Sequence, residues 1–350
     1  MYRKLVLTLS DFKLKFDQKL CETCPTYDCL VRCQYMNLDK EVAKIEMQKM
    51  VRGENSFVLY RCVTCYACEE YCKRGNHPFY LISDLQEKNS ILPMPKPLIT
   101  QWINTGIPTK KDIREFWGAV EPVISLCLFP EYINSIEGKL FEGFSIVVGR
   151  YFFCQLAYLH FGRPSIIRER LSSIIENIAN HGFQEIVFFH DECYSTFTSY
   201  TQAYGIQVPF RSVHLFEYLY GRLRELEDEI SPLNVKVAYQ RPCSSRLAPE
   251  KEHFVDDIFN LIGVERVERE YDRENSLCCG GIIRGQQRYD LFVDVQRRNV
   301  VDMVNAEAEY CVFNCPMCFA SLSEAVVKRD IKPIMMHELC RLALGEVIKS

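Results

Sequence analysis

Gln184 to Phe197 reads QEIVFFHDECYSTF, Glu309 to Leu322 reads EYCVFNCPMCFASL, and the two stretches align at an offset of 125 residues. The alignment superposes Cys193 on Cys318 and His190 on Cys315, and the same offset places Cys154 on Cys279. Similarity at a fixed offset is the signature of a duplicated structural unit. Beyond each stretch come a polar segment, a short apolar run and a histidine leading into a helical pattern, VPFRSVHLFEYLYGRL (208–223) in one copy and KPIMMHELCRLALGEV (332–347) in the other. Each copy reads as helix, buried strand (EIVFF, EYCVF), Cys-bearing loop and second helix, the alternation of an α/β unit. Chance similarity of two helix and strand pairs is the competing reading. The spacing predicts two related halves, 113–230 and 231–350, with His214 and His337 equivalent and serving packing or capping.

Cysteines divide the rest of the chain. Eight of the 18 crowd into its beginning, as two runs: Cys21, Cys24, Cys29, Cys33 and Cys62, Cys65, Cys68, Cys72. Thiolates two or three residues apart can face one cluster, with a further ligand arriving from elsewhere, so four plus four suit two 4Fe-4S clusters. In two-cluster ferredoxins the fourth Cys of each run serves the other cluster. That rule predicts Cys21, Cys24, Cys29 and Cys72 on one, and Cys62, Cys65, Cys68 and Cys33 on the other. Structural zinc, which needs four ligands per ion, is the competing reading. Two features depart from the usual run: four residues separate Cys24 from Cys29, and neither Cys33 nor Cys72 precedes a proline. Between the runs, Leu38 to Val51 places Val42, Ile45, Met47 and Met50 at helical spacing. With that helix, residues 1–90 resemble the α-helical ferredoxin type found in the iron-sulfur subunits of succinate dehydrogenase and in the ferredoxin-like subunit of heterodisulfide reductase. Residues 91–112, with prolines at 93, 95, 97 and 108, read as a linker.

The second half carries QRPC ending at Cys243, LCCGG with Cys278 and Cys279, and NCPMC with Cys315 and Cys318. Thirty-four residues separate Cys243 from Cys278, and thirty-five separate Cys279 from Cys315. A Cys, a Cys-Cys-Gly and a Cys-x2-Cys at such spacings resemble the cysteine-rich (CCG) domain family. That family includes the catalytic subunits of heterodisulfide reductase and the iron-sulfur subunits of anaerobic glycerol-3-phosphate dehydrogenase and glycolate oxidase. With the ferredoxin-like part in front, the order is similar to the fused heterodisulfide reductase layout, in which one chain carries both the ferredoxin-like and the CCG parts. The fold class implied is α+β, an α-helical ferredoxin domain followed by a duplicated α/β cysteine-rich domain. The resemblance further implies a noncubane 4Fe-4S cluster on Cys243, Cys278, Cys279, Cys315 and Cys318, at whose iron a disulfide is cleaved. Gly280 and Gly281 let backbone approach such a site. Buried structural thiols beside a separate zinc site are the competing reading. Cys311 and Cys340 read as core.

The first half is degenerate. It keeps Cys154 and Cys193, but Phe153 stands where Cys278 stands and His190 replaces a thiolate. Cys127 is a stand-in for Cys243. Cys127, Cys154, His190 and Cys193 offer ligands for an ordinary cluster or for zinc, and the missing thiolates favour a vestigial site.

Composition narrows the function. With 48% hydrophobic residues the 350-residue chain can bury a substantial core, and 42 basic against 46 acidic residues leave a formal charge of -4. That balance argues against nucleic acid as a partner. The opening MYRKLVLTLSDFKLKFD lacks the apolar core of a secretory signal, so a reducing cytoplasm is expected, where cysteines bind metal or do redox chemistry. Apolar stretches such as 145–159, broken by Arg150, fall short of the roughly 20 residues of a membrane helix. No G-x-G-x-x-G or Walker run occurs. Electrons are therefore expected to pass to or from a flavoprotein or other partner subunit, with a small thiol or disulfide as substrate and a peripheral membrane complex compatible with the chain. An electron-relay subunit of a flavin-dependent 2-hydroxyacid or glycerol-3-phosphate dehydrogenase complex is the alternative.

Overall fold

The structure is a computed structural model and describes residues 13–109 and 119–348. Most of the amino-terminal stretch read for a secretory signal, and the junction of the 91–112 segment with the first half, lie outside the described residues.

Regular structure in residues 13–109 is helical: α1 (Gln18–Glu22), α2 (Asp28–Val31), α3 (Lys40–Val51), α4 (Val58–Arg61), α5 (Ala67–Tyr71), α6 (Pro78–Lys88) and α7 (Lys96–Thr105). Aspartates start two of them, Asp17 accepting from the Lys19 amide and Asp39 from the Val42 amide, each at 2.9 Å. The inter-run helix α3 buries Ala43, Glu46, Met47 and Met50, a single i, i+3, i+4, i+7 stripe. Ile45 lies off that stripe and is half exposed, so the buried face is turned from the one its apolar residues suggest. Within 91–112, where a linker is expected, α7 forms because Pro97 falls in its first turn, where a missing N–H costs nothing, and Ile99 is buried.

The remainder holds two four-stranded parallel sheets, which makes the fold α+β. Strands β1 (Val123–Ser125), β2 (Ser145–Val147), β3 (Glu185–Phe188) and β4 (Arg211–His214) form one, in the order β2-β1-β3-β4. The other, of β5 (Val235–Gln240), β6 (Val264–Arg266), β7 (Tyr310–Phe313) and β8 (Lys332–Met335), has the same order, β6-β5-β7-β8. The first sheet is accompanied by α8 (Pro164–Asn180), by α9 (Asp191–Ser195), which runs through a π turn into α10 (Thr201–Ala203), and by α11 (Leu215–Glu225). Its counterpart carries α12 (His253–Leu261), α13 (Gly281–Gly285), α14 (Tyr289–Asn305), α15 (Pro316–Val327) and α16 (Met336–Ala343). Both α8 and β3 recur as α14 and β7 at an offset of 125 at each end.

The histidines depart from the repeat. Phe188 pairs with His214 as Phe313 pairs with Met335. His214 is therefore equivalent to Met335, and His337 lies inside α16. His214 caps α11, its Nδ1 accepting from the Phe216 amide at 3.1 Å. One apolar core joins the second sheet to β3, β4 and α11 of the first half, and another joins the first half to Tyr66, Phe79 and Tyr80 of the helical region. The three parts thus meet through shared interiors.

Candidate metal centres

Cys29 and Cys68 sit in helices that are entered through the same backbone device. Tyr27 and Tyr66, with φ of 53° and 62°, turn the chain into α2 and α5, which carry these two thiols. The helices pack on each other, so the two runs mix. Asn76 fixes one mixture: its Nδ2 donates to Cys21 Sγ at 3.1 Å while its amide donates to Cys72 Sγ at 3.4 Å. Burial pushes the Cys21 thiol up to about 11, the Asn76 hydrogen bond opposes, and Cys72 and Cys24 push it further up. Burial likewise raises Cys29 far above the thiol range, and Cys72, Cys21 and Cys24 act in the same direction. The other mixture is seen at Cys33, pushed up to about 11 by burial and by Cys65, and at Cys62, raised by burial, Cys65 and Cys33. Cys33, Cys62, Cys65 and Cys68 also line one cavity, together with Cys29. Crowded thiols whose ionisation burial and neighbouring charge oppose are groups that a cation relieves. All are free cysteines.

In the second half, loops at strand ends and helix starts deliver five thiols. Cys243 follows β5, Cys278 and Cys279 precede α13, Cys315 is the N-cap of α15, and Cys318 lies in its first turn. Cys279 accepts hydrogen bonds from Cys278 and Cys318, which pull its thiol well below the usual range against burial. Cys315 is pulled down to about 6, first by Cys318 and, against burial, by His190. Cys243 lies within electrostatic reach of Cys279 and Cys315. Gly280 allows the turn: its φ is +93°, and a Cβ there would meet the Phe292 ring at 2.8 Å. Gln296 Nε2 and Ser321 Oγ donate to the Cys279 carbonyl at 3.0 and 3.2 Å. Cys311 and Cys340 are fully buried on β7 and α16, inside the core.

The first half gathers Cys127, Cys154 and Cys193, whose sulfurs all lie within 4.8 Å of one another and are buried. Thiolates around one tetrahedral ion at a Zn–S distance near 2.3 Å are about 3.8 Å apart, so this spacing is that of a single ion or of mutually hydrogen-bonded thiols. Cys127 follows β1 as Cys243 follows β5. His190 does not join them. Its Nε2 lies 3.3 Å from Cys315 Sγ, in the second half.

Several residues around these thiols are not expected from the cysteine motifs. Tyr35, two positions after Cys33, accepts from the Cys278 amide at 2.9 Å and ties the helical region to the Cys-Cys-Gly turn. Arg241 and Arg246, buried beside Cys243, both hold Glu70 of α5. His160 is stacked on Tyr66 and hydrogen-bonded to it and to Thr64, both neighbours of Cys65, and lies 3.4 Å from Glu192 beside Cys193. A cationic pair two residues before and three after Cys243 is the one signal that could have been read.

Residues 237–323 match the family model of the cysteine-rich domain, CCG, a span that contains Cys243, Cys278, Cys279, Cys315 and Cys318. This match supports the CCG family, and together with the cysteine content it supports an iron-sulfur electron-transfer role. No curated protein matches the chain. Among solved structures, it is similar to a hypothetical protein from Helicobacter pylori, at 13% identity and a TM-score of 0.47, over 95% of this chain and 77% of that one. Among the described residues no helix is long and apolar enough to cross a membrane.

Proposed function

We propose that the chain is an iron-sulfur oxidoreductase subunit of the heterodisulfide reductase kind. Two 4Fe-4S clusters would be held by the mixed sets Cys21, Cys24, Cys29, Cys72 and Cys62, Cys65, Cys68, Cys33, and a noncubane cluster by Cys243, Cys278, Cys279, Cys315 and Cys318. The observation that carries this reading is the chain of four neighbouring thiols, Cys278 to Cys279 to Cys318 to Cys315, with Cys243 within electrostatic reach of Cys279, of Cys315 and of Cys65. The donor set fits the group: soft, buried thiols at helix starts, with a glycine where backbone must come close. When bound, such clusters supply one-electron carriers and, at the open site, Lewis-acidic iron for a thiolate.

The chain's own part is to place and shield. Tyr35 and Arg246 bridge the helical region to the second half beside Cys65, which fixes the separation of the two thiol sets. Cys278, Cys279, Cys315 and Cys318 are buried, while Cys243 is partly exposed, so a small thiol or disulfide would approach on the Cys243 side. A flavoprotein or other redox protein, in the cytoplasm or on a peripheral membrane complex, would exchange electrons with the helical region.

The burial of four of the five thiols also favours a second reading, a pure relay within a flavin-dependent 2-hydroxyacid or glycerol-3-phosphate dehydrogenase complex. Thiol added to the oxidised, anaerobically purified protein distinguishes them. A changed paramagnetic signal, abolished by Cys279→Ser, supports the enzyme. An unchanged signal, with normal electron transfer from a flavoprotein, supports the relay. Colourless protein free of acid-labile sulfide refutes both.

A further inference from the structure

The offset that equates His190 with Cys315 also brings them together, Nε2 lying 3.3 Å from Sγ. The adjacent pair behaves alike: Asn314 Nδ2 donates to the carbonyl of Phe189, its own equivalent, at 3.4 Å. The two halves thus meet through equivalent residues here, and the N-cap of α9 is delivered to the N-cap of α15. His190 is 3% exposed, its ring meets the Phe129 ring at 5.1 Å, and Nδ1 has no hydrogen-bond partner among the described residues. The first half's three thiols gather without it.

We propose that His190 is a positioning residue for the second half's thiol site, donating its Nε2 proton to Cys315 Sγ and thereby raising the reduction potential of the group those thiolates hold. The proposal rests on the reading that the five thiols bind a cluster. An N–H donor withdraws negative charge from the thiolate, and the reduced state, which carries one electron more, gains more from it. Only a proton on Nε2 is needed, whatever the charge of the ring. The half that has no thiolate at this position would in this way tune the half that has one.

The experiment is a redox titration of the full chain, purified anaerobically and followed by its paramagnetic signal, with iron and acid-labile sulfide counted in every sample. His190→Ala is expected to make reduction of the second-half group about tenfold less favourable, about 59 mV for one electron, at unchanged iron content. His190→Gln, which keeps an N–H donor, is expected to restore most of that. Equal potentials in all three chains overturn the proposal, as does an equal shift in both variants, which would make the imidazole a packing element. Wild-type chain lacking iron and sulfide at this site would overturn the cluster reading itself, and the proposal with it.

Discussion

Nη1 of Arg241 lies 2.9 Å from both carboxylate oxygens of Glu70, joining a residue two positions before Cys72 to one two positions before Cys243. Arg246 Nη1 reaches the same carboxylate at 2.8 Å, and both arginine side chains are nearly inaccessible. A single anion on α5 therefore holds two buried cations of the second half. Removing it leaves both charges in the interior, which costs about 3–5 kcal/mol for a buried pair. Because Glu252 still faces Arg241 at 3.1 Å, Glu70→Ala should cost about 3 kcal/mol, read as a lower urea midpoint at unchanged slope. Glu70→Asp, too short to span both arginines, should recover only part of it.

The mixing of the two cysteine runs makes the fourth residue of each the informative one. Cys33→Ser should remove the paramagnetic signal of the group containing Cys62, Cys65 and Cys68, and Cys72→Ser that of the group containing Cys21, Cys24 and Cys29. Loss within the residue's own run would refute the crossover. Asn76→Ala, which withdraws the side-chain donor from Cys21, should shift the potential of the Cys72 group alone.

The repeat was readable because strand β7 and helix α14 reproduce β3 and α8 at constant offset, their apolar residues at strand or helix period. Strands β2 and β6 were not, since each has three residues and β6 carries Glu265 and Arg266. The cysteine pattern marked the thiols but not their surroundings. Tyr35 and Glu70 act across chain separations of 243 and 171 residues, contacts that only the packing of the helical region on the second half creates, and Asn76 acts across 55 residues within the helical region itself. The same holds for His190. Alignment gave its equivalent, Cys315, but an alignment of two halves does not say that their packing will carry a residue into the site of its equivalent.

Gly280 should be intolerant of a side chain. Its φ of +93° is strained for an L residue, and a Cβ would lie 2.8 Å from Phe292 Cδ2 and 3.2 Å from Gln296 Cγ. Backbone strain of this kind costs about 1–3 kcal/mol. Moving Gln296 also disturbs its 3.0 Å hydrogen bond to the Cys279 carbonyl. Gly280→Ala should therefore lower stability and iron retention together. Gly281→Ala, whose added Cβ meets nothing closer than 3.5 Å and whose φ is ordinary, should retain iron.

Glu252 should make the junction sensitive to acid. Burial raises its carboxyl, but Arg241, Lys251 and a hydrogen bond from Ser245 outweigh it and bring it below the usual carboxylate value. A carboxylate lowered in the folded state contributes stability that is present in full above its unfolded value, about 4.3, and lost as pH falls through the folded one. At pH 7 Glu252→Gln should lose about 1.5–3 kcal/mol, because Arg241 and Lys251 each lose one of two carboxylate partners while keeping Glu70 and Asp191. As pH falls below the unfolded value the wild type progressively gives up the same interaction, so the two unfolding curves should approach each other. A gap between wild type and Glu252→Gln that stays constant from about pH 7 to about pH 3.5, measured by urea denaturation, would show that the ion pair with Arg241 and Lys251 does not stabilise the fold.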